Sequence, residues 1–264
     1  MLIRLLSLFR FHLECLGMYF RPGVKWSPAT VFHVLRQAGY YFANECYGAF
    51  IYGAESLVFI GQRRLKTVDH ALNLRYFHPS QFMLALREGL RIEKPETIYR
   101  LTYGETTFFG IRAALKAVGA KSGEVFYDLG CGTGRNVFYA AVACGMQAVG
   151  IDLLPSFVNN GKALATQFDL KDVSFLEQNI FVTDLKSADV VYITANCYDA
   201  ETMPQLVKRL DDLRPGARVI STHRSIPSPR LRILRHQLLP FSWGVDKMFY
   251  QVVKDQPEPD QPAS

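Results

Sequence analysis

Val125 to Val137, VFYDLGCGTGRNV, is the stretch from which the fold is read. Residues 125–129 form a short apolar run suited to a strand, and Gly130, Gly132 and Gly134 then make a tight turn. Arg135, Asn136 and Val137 open a helix that continues through Phe138, Tyr139, Val142 and Ala143. Glycine at such a turn permits positive φ and lets the backbone come close to a ligand, and the first N–H groups of the helix are unpaired. The spacing is G-x-G-x-G, not G-x-G-x-x-G, and no Gly-Lys-Ser/Thr follows, so a pyrophosphate ligand is disfavoured. A second apolar run, residues 147–151, ends at Asp152, where an acid at a strand's carboxyl end can hydrogen-bond a ribose diol. The two strands together predict a site for an adenosyl ligand that lacks a pyrophosphate.

At this point the chain resembles the class I S-adenosylmethionine-dependent methyltransferases, with Asp128, Gly130, Gly132, Gly134 and Asp152 in place of that family's first motif and second-strand acid. About 20 residues ahead of the glycines, Tyr103-Gly104-Glu105-Thr106 resembles a loop of the disruptor-of-telomeric-silencing family of nucleosomal lysine methyltransferases. The resemblance implies a lid of residues 102–107 over the methyl donor, with Glu105 and Thr106 near its methionine moiety. It also implies an α/β fold, a doubly wound sheet of seven strands with the last antiparallel.

Two places depart from that family. Where it has an acid followed by Phe to read the adenine amino group, this chain has Ile180 before Phe181, with Asn179 the nearest polar substitute. Where it has two asparagines and an aromatic residue, this chain has Thr194-Ala195-Asn196-Cys197-Tyr198. Further on, Phe241-Ser242-Trp243-Gly244 and the apolar run 248–253 resemble the family's closing segment, with Phe249 and Tyr250 as its two aromatics and one residue missing between the turn and the strand. The donor set implied is Tyr103, Gly104, Glu105, Thr106, Asp128, Gly130, Gly132, Gly134, Asn136, Asp152, Asn179, Ile180 and Phe181. Asn196, Tyr198, Trp243 and Phe249 are the candidates for an acceptor channel.

Composition sets the outer bounds. A chain of 264 residues with 49% hydrophobic content has room for one full domain and a small additional one. Its five cysteines are scattered and include no C-x-x-C pair, so neither a disulfide framework nor a zinc site is indicated, and a reducing, cytoplasmic setting is expected. The net charge of +6 is unevenly placed: 13 of 30 Lys/Arg and 7 of 24 Asp/Glu lie in residues 1–100, leaving 17 of each beyond. The N-terminal part thus carries the whole excess, which suits an acidic partner or an anionic surface, although a solvated basic face is the commoner outcome.

Residues 1–20 are apolar but interrupted by Arg4, Arg10, His12 and Glu14, with no small-residue cleavage site, so neither a signal peptide nor a membrane span is expected. Leu2, Leu5, Leu6, Phe9, Leu13 and Leu16 recur at helical spacing. An amphipathic helix that docks on the protein, or lies on a membrane interface, follows. Ser27-Pro28 reads as a helix start, and glycines at 39, 48, 53 and 61 are expected to divide residues 31–60 into two helices, with 47–60 buried. Residues 81–90 form a short amphipathic helix, and His12, His33, His70 and His78 have no metal-ligand spacing.

Helices are expected at 108–118, 155–168 and 201–213, strands at 173–176, 188–193 and 218–221, and a basic helix at 231–239. Residues 255–264, with three prolines, read as a disordered tail. The organisation expected is a helical N-terminal extension over 1–96, a donor-binding domain over 97–254 and the tail. Three functions compete: methyl transfer to a protein lysine, to a small molecule, or donor binding without catalysis. The basic residues of the extension never run longer than the pair Arg63-Arg64, which argues against a nucleosome as partner.

Overall fold

The computed structural model describes residues 26–77, 79–92 and 104–255, with a few isolated positions before residue 26. The stretch 1–20 lies almost wholly outside the described residues, as do Tyr103, His78 and the tail beyond Asp255. The described helices are α1 (Pro28–Glu55), α2 (Arg63–Arg75), α3 (Gln81–Ile92), α4 (Phe108–Ala117), α5 (Arg135–Cys144), α6 (Pro155–Gln167) and α7 (Met203–Leu210). The strands are β1 (Val125–Leu129), β2 (Gln147–Asp152), β3 (Val173–Glu177), β4 (Val190–Thr194), β5 (Arg218–Thr222), β6 (Leu231–Phe241) and β7 (Gly244–Val253).

The strands form one sheet in the order β3-β2-β1-β4-β5-β7-β6. β1 to β5 are parallel, and β7 inserts antiparallel between β5 and β6. The order reverses between β1 and β4, which opens a crevice at the carboxyl ends of those two strands.

Alternation along the strands assigns each residue to a face. Phe126, Ala148, Val190, Tyr192, Ile220, Met248 and Tyr250 join the core under α2, α4, α5 and α6. Leu129, Ile151, Val191, Ile193, Val219 and Val253 join the core under α7. Val58, Leu65, Val68, Leu72 and Tyr76 belong to the first core, so the segment around α2 shares its packing with the sheet domain.

Two local expectations are corrected. Residues 31–60 are not two helices: α1 runs unbroken through Gly39, Gly48 and Gly53, ends at Glu55, and passes into a short 3-10 turn, Ser56–Phe59. A helical glycine costs about 1 kcal/mol against alanine and does not by itself break a helix; Ser27 caps the start by accepting from the Thr30 N–H at 3.1 Å. Nor is 47–60 uniformly buried, since Ile51 and Val58 are inside while Phe50, Leu57 and Ile60 face outward. The basic stretch 231–239 is a strand, not a helix. Its backbone pairs along the whole length of β7 through the Ser242-Trp243 turn, and most of its side chains stay exposed at the sheet edge, so little hydrophobic burial decided its conformation.

Candidate functional site

The glycine turn is built by backbone need. Gly130, Gly132 and Gly134 have φ of 82°, 51° and 83°, a region open to glycine and strained for other residues. A Cβ on Gly134 would lie 2.6 Å from the Phe175 ring, and one on Gly150 or Gly161 would come within 2.8 or 2.7 Å of the same ring. Three glycines thus make room for one phenylalanine of β3, which draws α5 and α6 close onto the sheet.

The crevice holds a cavity of about 380 Å³, within the size range of small-ligand sites. Of the donor candidates, Gly104, Glu105, Thr106, Asp128, Gly130, Gly132, Asn136, Asp152, Asn179, Ile180 and Phe181 line it. Gly134 sits behind the wall as the residue before α5.

Asp152 ends β2 with its carboxylate inward: Oδ2 accepts the Gly132 N–H at 2.8 Å and Oδ1 the Leu154 N–H at 3.0 Å. Burial raises its pKa, and these backbone donors oppose the shift. Each oxygen keeps a lone pair for a hydroxyl donor. Asp128, 2% exposed, is pushed up to about 8, by burial first and by the charge of Asp152, against a hydrogen bond from Asn136. Its Oδ2 and the Oδ1 of Asn136 have no hydrogen-bond partner within the protein.

The loop carrying Glu105 is stitched to the β6–β7 turn. The Glu105 N–H donates to Ser242 Oγ at 2.8 Å and its carbonyl accepts from Ser242 N–H at 2.9 Å; Thr106 bridges Phe241. Thr107 then caps α4, accepting the Gly110 N–H at 3.0 Å while donating to the Pro240 carbonyl at 2.8 Å. Gly104 lies flat against Trp243, whose ring leaves 2.6 Å for a Cβ.

The acceptor candidates divide. Tyr198 lines the cavity and meets Phe181 edge-on, ring centres 6.2 Å apart. Asn196 does not: it is exposed on the short turn after β4, and Thr194, at the strand's end, faces the cavity in its place. Phe249 stands on the opposite face of β7, against His236 at 5.4 Å. Its register partner on β5 is Ser221, whereas Tyr250 shares the face of Tyr192. Trp243 stacks on Phe241 at 4.5 Å and supports the wall from behind Gly104.

Sequence reasoning missed several lining residues, among them Thr133, Arg135, Leu154, Phe157, Thr194, Glu201 and Gln205. Thr194 was signalled by strand parity with Tyr192. Among the described residues there is no metal-holding cluster of His, Cys, Asp or Glu, and no helix is long and apolar enough to cross a membrane.

The chain finds a counterpart in a solved structure. The RNA methyltransferase from Salinibacter ruber, in complex with S-adenosyl-L-homocysteine, superposes with a TM-score of 0.51 at 26% identity, over 59% of this chain and 97% of that one. The chain has the class I methyltransferase fold. Within that fold, the ANTKMT methyltransferase domain matches residues 128–230. By sequence the chain is also similar to the H3 lysine-79 specific histone-lysine N-methyltransferase of Aspergillus fumigatus, 26% identical over 48% of this chain and 28% of that protein. Its counterpart in Gibberella zeae is 29% identical over 38% of this chain and 23% of that protein. The chain therefore spans about a quarter of the length of these curated relatives.

Proposed function

We propose that the chain binds S-adenosylmethionine in the switch-point cavity and transfers its methyl group to the side-chain amine of a protein lysine. The observation that carries the first half is the acidic wall: Glu105, Asp128 and Asp152 converge on a cavity of about 380 Å³, which suits a ligand with a ribose diol at one end and positive charge at the other. Asp152 is the acceptor for the ribose hydroxyls, and Asn179, Ile180 and Phe181 lie where the adenine would rest. When bound, the donor supplies an electrophilic methyl on a sulfonium. The chain's residues then hold the acceptor in line and exclude water, so most of the acceleration comes from proximity and desolvation.

For the acceptor, the support is the name shared by the curated relatives, histone-lysine methyltransferases. A second reading, an RNA acceptor, is favoured by the Salinibacter protein, almost all of which is covered. A small molecule is the third, since the asparagine pair is altered in Thr194-Ala195-Asn196-Cys197-Tyr198. We further propose that residues 1–96 face the acceptor in a reducing, cytoplasmic setting. Transfer of tritium from labelled donor to a fractionated lysate distinguishes the acceptors: label in alkali-stable protein and recovery of methyl-lysine support the proposal, whereas label confined to RNA or to small molecules overturns its second half.

A further inference from the structure

Arg135 follows the glycine turn directly, yet it does not point at solvent or at a ligand phosphate. It is 4% exposed, and its guanidinium carbon lies 3.9 Å above the Phe108 ring. Three carboxylates from three separate segments meet it. Glu55, the last residue of α1, lies 2.9 Å from Nη2; Asp69 of α2 lies 3.6 Å from Nε; Glu105 of the cavity loop lies 3.6 Å from Nη1. Nη1 also donates to the Thr106 carbonyl at 3.4 Å.

The other oxygens of these carboxylates have partners that extend the link. Glu55 Oε1 accepts the Phe108 N–H, the first of α4, at 2.6 Å. Asp69 Oδ2 accepts from Asn73 at 3.0 Å. Glu105 Oε1 accepts from Thr133, a residue of the glycine turn, at 3.2 Å. One buried cation therefore ties α1 and α2 to both walls of the cavity, the glycine turn and the loop at 104–107.

We propose that Glu55 and Asp69 are positioning residues for the donor: through Arg135 they fix the Glu105 carboxylate at the cavity wall, so that the N-terminal helices set donor affinity. Neither residue lines the cavity. The physical reason is the low dielectric around the guanidinium. Removing one buried partner of a charge leaves that charge seeking another; Asp69 and Glu105 remain at 3.6 Å, and a closer approach of Glu105 to Arg135 takes its carboxylate off the wall. The proposal rests on the S-adenosylmethionine reading of the cavity, and it gives the N-terminal helices a part in holding the donor.

The test uses the full chain and S-adenosylhomocysteine as probe. Calorimetry is run on wild type, Glu55→Gln, Glu55→Asp and Asp69→Asn, each first shown by thermal melting to be folded. Glu55→Gln is expected to raise the dissociation constant about tenfold, equivalent to ~1.4 kcal/mol, with Glu55→Asp recovering part of the loss. Transfer at saturating donor should stay within about twofold of wild type, the split that marks a positioning role. If Glu55→Gln does not fold, Asp69→Asn and a measurement on wild type carry the test: the Arg135 Nε–H resonance should shift and exchange more slowly when the probe is added. Unchanged affinity in a folded Glu55→Gln or Asp69→Asn, or an Arg135 signal indifferent to the probe, overturns the inference while leaving the donor reading intact. Absence of binding in wild type overturns both.

Discussion

Asp128→Asn removes a carboxylate that the fold buries at 2% exposure and pushes up to about 8. In the unfolded chain the same group titrates near 3.9. Between those two values the folded protein keeps a proton that the unfolded chain has lost, so this group's contribution to stability is full below about pH 4 and is lost as pH rises through 8. The slope is about 1.4 kcal/mol per pH unit. From pH 5 to pH 7 the wild type should therefore lose roughly 2–3 kcal/mol relative to the asparagine variant, whose side chain does not titrate. At roughly 2–4 °C per kcal/mol for a chain of this size, the difference in melting temperature between variant and wild type should widen by about 5–10 °C over that interval. The amide that Asp128→Asn introduces can also donate to Asn136 Oδ1, which otherwise has no partner.

The same substitution should weaken the donor. A cationic ligand favours the ionised carboxylate, so wild type at pH 7 should release close to one proton on binding, visible as a buffer-dependent calorimetric heat, and the variant none. Melting curves at pH 5, 6, 7 and 8 decide the first part: a difference between the two proteins that stays constant with pH would refute the argument that burial holds Asp128 protonated.

Asp152→Ala should weaken S-adenosylhomocysteine by about 1–3 kcal/mol or more, because two buried hydroxyls lose their acceptor; equal affinity by calorimetry would remove Asp152 from the site. Gly150→Ala should cost roughly 1–3 kcal/mol by crowding Phe175, and the cost should shrink in a Phe175→Leu background, which a double-mutant cycle in urea measures. Thr107→Ala, which removes the cap of α4 and the tie to Pro240, should cost about 1–2 kcal/mol and speed hydrogen exchange at Phe108 to Gly110.

What was legible in the sequence was local. The glycine turn and Asp152 announce themselves because each is fixed by its own backbone: positive φ at three glycines, and a strand that ends on an acid. The strand β6 did not, since Leu231, Leu234, Leu238 and Leu239 satisfy a helical spacing as well as an edge strand, and pairing with β7 settled the choice. Phe249 and Tyr250 are adjacent, so a one-residue uncertainty in register exchanges the face that meets Tyr192 for the face that meets His236. The role of Arg135 could not be read at all, because its partner Glu55 lies 80 residues away and only the fold, which sets the end of α1 against the start of α4, brings them together.

The chemistry of the acceptor side follows from what surrounds Thr194. Tyr192 hydrogen-bonds Thr106 and, with Tyr198, has its phenol pKa raised far above the usual range by burial; burial also pushes the Cys197 thiol up to about 11. These groups are neutral hydroxyls and a neutral thiol at physiological pH, able to orient an amine but not to take its proton. Glu201, on the rim, is exposed. Asp128, which donor binding ionises, would favour the ammonium form and make deprotonation harder. A lysine acceptor must therefore shed its proton to solvent before or during entry, and the rate at saturating donor should climb about tenfold per pH unit between about pH 7 and 9. A single-turnover series over that range checks it: a flat profile, or a plateau with a midpoint near neutral pH, would show that a general base is at work and that this reading of the acceptor side is wrong.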